Sequence, residues 1–268
     1  MKCAVLGSPI AHSLSPLLHN RAYEILEIEG SYEAIDITEN RLVEFLEGSL
    51  EAGWNGFNLT MPLKESVFSS SLCTFDSRST LIRSANTLLR NENQFVATST
   101  DLLAFEELFK PFPADRVAII GGGGTARAAV GALAGRTGAI DLFLRSPARI
   151  DAIKDIAPQA IVRAVPMDSP LHGYDIIVNT TPAGAADHLA STLESVDGLY
   201  LESLYKPWPT ELAFAWKELG GIILHGADLL VEQALYAIEM MTYRNFDYAL
   251  MRQELLEVAL SHLSSQTK

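Results

Sequence analysis

Along almost the whole chain, short apolar runs alternate with amphipathic stretches, and this alternation restricts the fold more than any other feature. Cys3 to Leu6 is followed by Pro16 to Leu26, Tyr32 to Ile35 by Arg41 to Leu50, and Phe57 to Thr60 by Lys64 to Ser70. A short continuous apolar run is a strand covered on both faces, and the helical stretch after it supplies the cover. The pattern specifies βαβ units around a mostly parallel sheet, an α/β fold. Residues 84 to 100 break the rhythm: Ser84 to Leu89 and Phe95 to Thr98, separated by Asn91-Glu92-Asn93, read as a hairpin. A connecting helix from Asp101 to Phe109 and the break Lys110-Pro111-Phe112-Pro113 then precede a second αβ series. Its expected strands are Val117 to Ile120, Ile140 to Leu144, Ile161 to Val165, Tyr174 to Asn179, Leu199 to Leu204 and Gly221 to Leu224. Helices are expected over Leu229 to Met241 and Asp247 to Leu263, with a frayed tail from Ser264.

The 268 residues, 48% hydrophobic, suffice for one large core or two ordinary ones. A formal net charge of -13 argues against nucleic acid or an anionic membrane as partner, because phosphate contacts need clustered Lys and Arg. An anionic ligand would need local groups that offset this field. Cys3 and Cys73 are the two cysteines, too few for a disulfide framework or a zinc-ligand spacing. The opening apolar stretch is too short for a signal peptide and no run approaches the ~18 apolar residues of a membrane span, so the expected location is cytoplasmic.

Four segments carry chemistry. Gly121-Gly122-Gly123-Gly124-Thr125-Ala126 lies between an apolar strand and a helix and fits G-x-G-x-x-A, so a pyrophosphate is expected on amides at the helix N-terminus. An NAD site usually ends the next strand with an acid ~20 residues on. Here that place holds Leu144-Arg145-Ser146, with Arg149 beyond, and arginines grip a 2'-phosphate, so the preference is for NADP. Asn58-Leu59-Thr60-Met61-Pro62-Leu63-Lys64 puts a lysine in the first turn of a helix after a strand, with Pro62 suited to the first helical position. Burial and the positive helix end would disfavour its ammonium form, which makes it a candidate acid or base. Ser13 and Ser15 set two hydroxyls before a helix that Pro16 can start, where both could donate to a carboxylate. His19 and Asn20 on that helix are expected in satisfied packing roles.

Together these segments resemble the shikimate dehydrogenase family over nearly the whole chain, in the same order. Gly7-Ser8-Pro9-Ile10-Ala11-His12-Ser13-Leu14-Ser15-Pro16 is similar to the family's substrate-carboxylate motif, which implies Ser13 and Ser15 as its ligands. Gly56 to Lys64 is similar to G-x-N-V-T-x-P-x-K, implying Lys64 as the catalytic lysine and Thr60 as a substrate contact. Ser84-Ala85-Asn86-Thr87 matches A-V-N-T and carries Asn86 to a substrate hydroxyl; Thr100-Asp101 matches N-T-D-G and makes Asp101 the partner of Lys64. Asn179-Thr180-Thr181-Pro182-Ala183-Gly184 resembles the cofactor-facing N-x-T-P-x-G loop. Tyr205 and Gln233 correspond to substrate contacts. The cofactor contacts so implied are Gly121, Gly122, Gly123, Gly124, Thr125, Ala126, Arg145, Ser146, Arg149, Thr180, Ser203 and Gly226.

The resemblance implies an N-terminal open α/β substrate domain, residues 1–102 completed by helices at about 229–268, and a Rossmann-type doubly wound NADP-binding domain at 103–228. It implies NADPH-dependent reversible reduction of 3-dehydroshikimate to shikimate, with Lys64 and Asp101 handling the alcohol proton as a coupled pair. The partner is then a small molecule, and the protein a monomer or homodimer. The sequence departs from the family at Leu102, where a glycine is usual, at Leu144 and Ala185, and at Asp228 near the nicotinamide position. Two alternatives stay open: a broader quinate/shikimate dehydrogenase, although Ser15 in place of threonine favours shikimate, and a non-catalytic NADP- or shikimate-binding regulatory paralogue.

Overall fold

The computed structural model describes residues 1–265. The chain divides into two compact units, one made of Met1–Leu103 and the chain from Leu230 onward, the other of Ala104–Leu229. The first unit runs β1 (Lys2–Gly7), α1 (Ser15–Ile25), β2 (Ser31–Asp36), α2 (Leu42–Glu51), β3 (Gly56–Leu59), α3 (Leu63–Ser66), β4 (Cys73–Phe75), α4 (Ser77–Ile82), β5 (Thr87–Asn91) and β6 (Gln94–Thr98), with α5 (Thr100–Phe109) leading on. The second contains β7 (Arg116–Ile120), α6 (Gly124–Leu133), β8 (Ala139–Phe143), β9 (Ile161–Val165), β10 (Ile176–Asn179), β11 (Leu199–Glu202), α7 (Glu211–Glu218) and β12 (Ile222–Leu224). Two helices close the chain, α8 (Gly226–Thr242) and α9 (Tyr248–Ser265).

The first sheet has the order β2-β1-β3-β5-β6-β4. β5 is antiparallel to β3 and β6, and the other pairs are parallel. Successive side chains of β1 explain its unbroken apolar run: Cys3 and Val5 enter one cluster with Ile10, Tyr23, Tyr32 and Met241, while Ala4 and Leu6 enter another with Leu42, Leu46, Phe57 and Leu63. Each face is covered, so no position alternates to polar. The strand directions also place the carboxyl ends of β1, β3 and β6 and the start of β5 at one edge, with Asn58 opposite Thr87 and Thr87 opposite Thr98.

The second sheet is parallel throughout, in the order β12-β11-β10-β7-β8-β9. This is the doubly wound dinucleotide-binding order, whose crevice opens where the direction of winding reverses, between β7 and β10. Ala118, Ile120, Ile177 and Tyr200 pack under Leu212 and Trp216 of α7. Among the described residues only α6 and α7 bridge strands of this sheet as α-helices; the crossovers after β8 and β10 contain 3-10 turns, at Pro147–Ala152, Lys154–Ile156 and Asp187–Thr192.

The sequence pattern did not register β4 and α4, of three and six residues, because neither is long enough to show a period. The signal was a cap: the Asp76 carboxylate accepts from the Ser79 amide at 2.8 Å. The tail expected from Ser264 also differs, since α9 continues through Ser265; residues 266–268 lie outside the described residues. Among the described residues no helix is long and apolar enough to cross a membrane.

Asn20 has the satisfied packing role expected of it, donating to the Pro16 and Tyr32 carbonyls at 2.8 Å each and accepting from the Tyr32 amide at 2.9 Å. His19 does not. It is fully buried, stacked 3.9 Å from the Tyr32 ring, and neither ring nitrogen has a hydrogen-bond partner among the described residues. Burial pushes its pKa down from 6.5 to about 3. The unfolded chain therefore takes up this proton first as pH falls below 6.5, and the folded state loses stability progressively down to about 3. His19→Phe keeps the ring stack without the titration, so its urea-unfolding free energy should fall less between pH 7 and pH 4 than that of the unsubstituted protein.

Candidate functional site

Lys64 follows a turn closed by the Leu63 amide on the Thr60 carbonyl, and its own carbonyl accepts from the Ala85 amide at 2.9 Å. The backbone on both sides of the lysine is thus fixed to the sheet edge. Asp101 is the second residue of α5, a position where an acid is favoured, and the Ser99 hydroxyl caps that helix by accepting from the Leu102 amide at 3.2 Å. The two side chains meet at 2.6 Å between Lys64 Nζ and Asp101 Oδ2, exposed by 17% and 8%. The expected dipole effect has little to act through, since α3 is a single turn of four residues and Pro62 is its cap, not its first residue. What meets Lys64 is a carboxylate that pairs with its ammonium form.

Asn86 connects this pair to the sheet. Its Oδ1 accepts from the amides of Thr100 and Asp101 at 2.7 and 3.2 Å, which satisfies two donors at the start of α5. The two hydrogens of its Nδ2 are shared among three acceptors, Thr100 Oγ1 at 2.8 Å, Asp101 Oδ1 at 3.0 Å and Gln233 Oε1 at 3.3 Å. The network continues inward: Thr100 and Thr87 hydroxyls lie 3.0 Å apart, Asn58 Nδ2 donates to Thr87 Oγ1 at 3.0 Å, and the Tyr32 hydroxyl donates to Asn58 Oδ1 at 2.6 Å. Lys64, Asp101, Asn86 and Gln233 are therefore one contiguous polar group. Gln233 is held from its other end by its donation to the Leu230 carbonyl at 2.7 Å.

Ser13 and Ser15 sit at the start of α1, where Leu14 is the cap and the Ser13 hydroxyl accepts from the Ser15 amide at 3.3 Å. Ser15 is buried and Ser13 half-buried. The loop before them is tied to the segment that carries Thr60, with the Ser8 amide on the Met61 carbonyl at 3.0 Å and the Thr60 amide on the Leu6 carbonyl at 2.9 Å. Tyr205 lies in the second unit, half-buried in the segment that follows β11.

The glycine turn leaves β7 at the winding reversal. Gly121 has φ +112°, outside the range of ordinary side chains, and a Cβ there would collide with the Thr180 hydroxyl across the strand pair. Thr180 is held in place by its amide and hydroxyl, both on the Ile120 carbonyl at 2.9 Å. Gly123 caps α6, and a Cβ on it would meet nothing within 4 Å, so the space before the helix is open. A helix start with open space before it and glycine backbone around it fits a pyrophosphate. Arg145, Ser146 and Arg149 are exposed, and Arg149 Nη1 donates to the Gly122 carbonyl at 3.2 Å. Gly226 packs so closely on the chain after β11 that a Cβ would collide with the Leu204 carbonyl and lie 2.8 Å from that of Ser203.

Two of the departures have local structural reasons. Leu102 is a buried side chain in the first turn of α5. Asp228 and His225 cap α8 reciprocally: His225 Nδ1 accepts from the Ala227 amide at 2.7 Å and Asp228 Oδ2 from the His225 amide at 3.0 Å. Burial lowers the His225 pKa, with Asp228 opposing, which keeps Nδ1 available as an acceptor.

The sequence reading did not single out Glu202, Tyr32 or Thr87. For Glu202 a signal existed, since an acid at the end of the apolar run Leu199-Tyr200-Leu201 is anomalous in a buried strand. Burial raises the pKa of its fully buried carboxyl, opposed by hydrogen bonds from Tyr200, Leu204, Asn179 and Thr210.

A family model for the shikimate dehydrogenase substrate binding domain matches residues 5–88. A Bacillus cereus (strain B4264) protein named shikimate dehydrogenase (NADP(+)) is 31% identical over 94% of this chain and 96% of its own length. The crystal structure of Mycobacterium tuberculosis shikimate dehydrogenase superposes with a TM-score of 0.85 at 31% identity, covering 97% of this chain and 99% of that one. A Thermus thermophilus shikimate 5-dehydrogenase in complex with NADP(H) and shikimate gives a TM-score of 0.81 at 29% identity, with coverage of 97% and 99%.

The Asn86 network gives a direct test. Asn86→Ala leaves the buried Thr100 and Asp101 amides without their acceptor, and should lower the unfolding free energy by about 1–3 kcal/mol in urea titration.

Proposed function

The chain belongs to the shikimate dehydrogenase family, and on that premise we propose that it catalyses the NADPH-dependent, reversible reduction of 3-dehydroshikimate to shikimate, within aromatic amino acid biosynthesis. The observation that carries this reading is the Lys64 to Asp101 ion pair at 2.6 Å, joined through Asn86 to Gln233 at one sheet edge. A reaction that interconverts a ketone and an alcohol needs a group that gives and takes one proton at the carbonyl oxygen. The Lys64 ammonium is that donor in reduction, and the proton returns to the Lys64/Asp101 pair when the alcohol is oxidised. Asn86 fixes the Asp101 carboxylate, so the ammonium is aimed before substrate arrives.

Ser13 and Ser15 donate to the substrate carboxylate, which supplies the local anion recognition that a chain of net charge -13 requires. Thr60 and Gln233 take ring hydroxyls, Asn86 serves the substrate through the Asp101 carboxylate that it holds, and Tyr205 is a further substrate contact that the family resemblance implies. NADP, when bound, supplies the two-electron redox partner of the reaction. Gly121, Gly122, Gly123, Gly124, Thr125 and Ala126 hold its pyrophosphate, Arg145, Ser146 and Arg149 its 2'-phosphate, and Thr180, Ser203 and Gly226 its remaining portion. The structural roles of Leu102 and Asp228 leave the Lys64/Asp101 pair intact, which supports catalysis over a ligand-binding paralogue.

The protein works as a monomer or homodimer on a small-molecule substrate, without nucleic acid or membrane contact, in the cytoplasm. Two buried free thiols support a reducing compartment. Burial pushes Cys3 and Cys73 each up to about 11, so both stay protonated and unreactive.

Steady-state assay with shikimate and NADP should show turnover that Lys64→Ala abolishes while NADP binding persists; full turnover in that variant would refute the assignment. Arg145→Ala should raise KM for NADP by about tenfold and leave KM for NAD nearly unchanged, because only NADP carries the 2'-phosphate. Ser15→Thr should shift the ratio of turnover on quinate and shikimate toward quinate.

A further inference from the structure

A carboxylate at the end of a buried strand is costly unless its oxygens meet donors. Glu202 meets four. Its Oε2 accepts from the Tyr200 hydroxyl at 2.7 Å, Asn179 Nδ2 at 2.9 Å and the Thr210 hydroxyl at 3.1 Å; its Oε1 accepts from the Leu204 amide at 3.1 Å. Each partner can donate, so the carboxyl oxygens can accept all four bonds at once.

These bonds reach three different segments. Donation from Nδ2 turns the Asn179 amide so that its Oδ1 accepts from the Thr181 amide at 3.1 Å and the Thr181 hydroxyl at 2.7 Å. That fixes the turn after β10, which carries Thr180. The bond to the Leu204 amide fixes the chain that carries Ser203, and Gly226 packs on that same backbone. Thr210, which caps α7 by accepting from the Ala213 amide at 3.2 Å, anchors the far end of the Pro207 to Pro209 loop. One buried carboxylate therefore sets the mutual position of Thr180, Ser203 and Gly226.

We infer that Glu202 is a positioning residue for the cofactor, holding the segments after β10 and β11 in the geometry that receives NADP. The inference rests on the reading that Thr180, Ser203 and Gly226 contact the cofactor. Glu202 is fully buried and so out of reach of a bound ligand. It acts through Asn179 and through the Leu204 amide.

Glu202→Gln keeps the side-chain shape but replaces one acceptor oxygen with a donor that faces other donors. Titration calorimetry should show its dissociation constant for NADP raised by about tenfold, the scale of one or two lost hydrogen bonds to a charged group. Its dissociation constant for shikimate, measured without cofactor, should stay within about twofold, and kcat at saturation of both within about threefold, as expected when only cofactor affinity is lost. Glu202→Asp, which keeps both acceptor oxygens, should lie nearer the unsubstituted protein. Thr181→Val interrupts the Asn179 relay without touching the buried acid and should weaken NADP in the same direction. Unchanged NADP affinity in Glu202→Gln would overturn the inference, as would parallel losses of NADP and shikimate binding, which mark a merely structural role. Unsubstituted protein with no measurable NADP affinity would instead refute the cofactor reading and the inference with it.

Discussion

Strands covered on both faces hold mostly apolar side chains along their length, and in both units of this protein the polar groups of the candidate site gather where the central strands end. In the first sheet β1 sends Cys3 and Val5 to one core and Ala4 and Leu6 to the other, so no side chain along the strand is free for chemistry. The polar groups gather at the carboxyl edge, where helices also begin and where their first amides need acceptors. Asn86 answers both needs with one side chain, taking the first amides of α5 on its oxygen and steadying Asp101 with its nitrogen.

The antiparallel strand β5 makes this arrangement work. A parallel strand in that place would bring its carboxyl end to the edge, whereas β5 brings its start, and with it Asn86 and Thr87. The hairpin that reverses the chain between β5 and β6 then returns Thr100 and Asp101 to the same edge. Lys64 arrives there from β3, so the ion pair joins groups 37 residues apart in sequence. The second unit obeys the same rule by different means: the winding reversal between β7 and β10 opens the edge, glycines line it, and Glu202 ties the chain ends beside it.

Polar groups in such cores are safe only when satisfied, and the two buried titratable groups at opposite extremes illustrate the difference. Glu202 has a donor for each oxygen and organises three segments. His19 packs well on Tyr32 but has no partner for either nitrogen among the described residues, so burial alone governs its protonation. Departures from the family pattern follow the same logic. Leu102 adds apolar burial in a helix first turn, and Asp228 exchanges cap hydrogen bonds with His225, so each changes packing or capping and leaves the Lys64–Asp101 ion pair in place.

The sequence by itself determined the α/β class, the two series of βαβ units, the glycine turn and the ordered motif strings, because each is written in the spacing of neighbouring residues. It also named Lys64 and Asp101 as partners, through resemblance and not through any local signal. Only the tertiary structure decided that Asn86 joins Asp101 to Gln233, that Arg149 leans on the Gly122 carbonyl, that His19 lacks partners among the described residues and that Glu202 collects four donors. Those are contacts between segments distant in the chain, and residue spacing carries no information about which distant donor a buried oxygen will meet. The short elements β4 and α4 escaped for the opposite reason: they are local, but three and six residues are fewer than a period needs to declare itself.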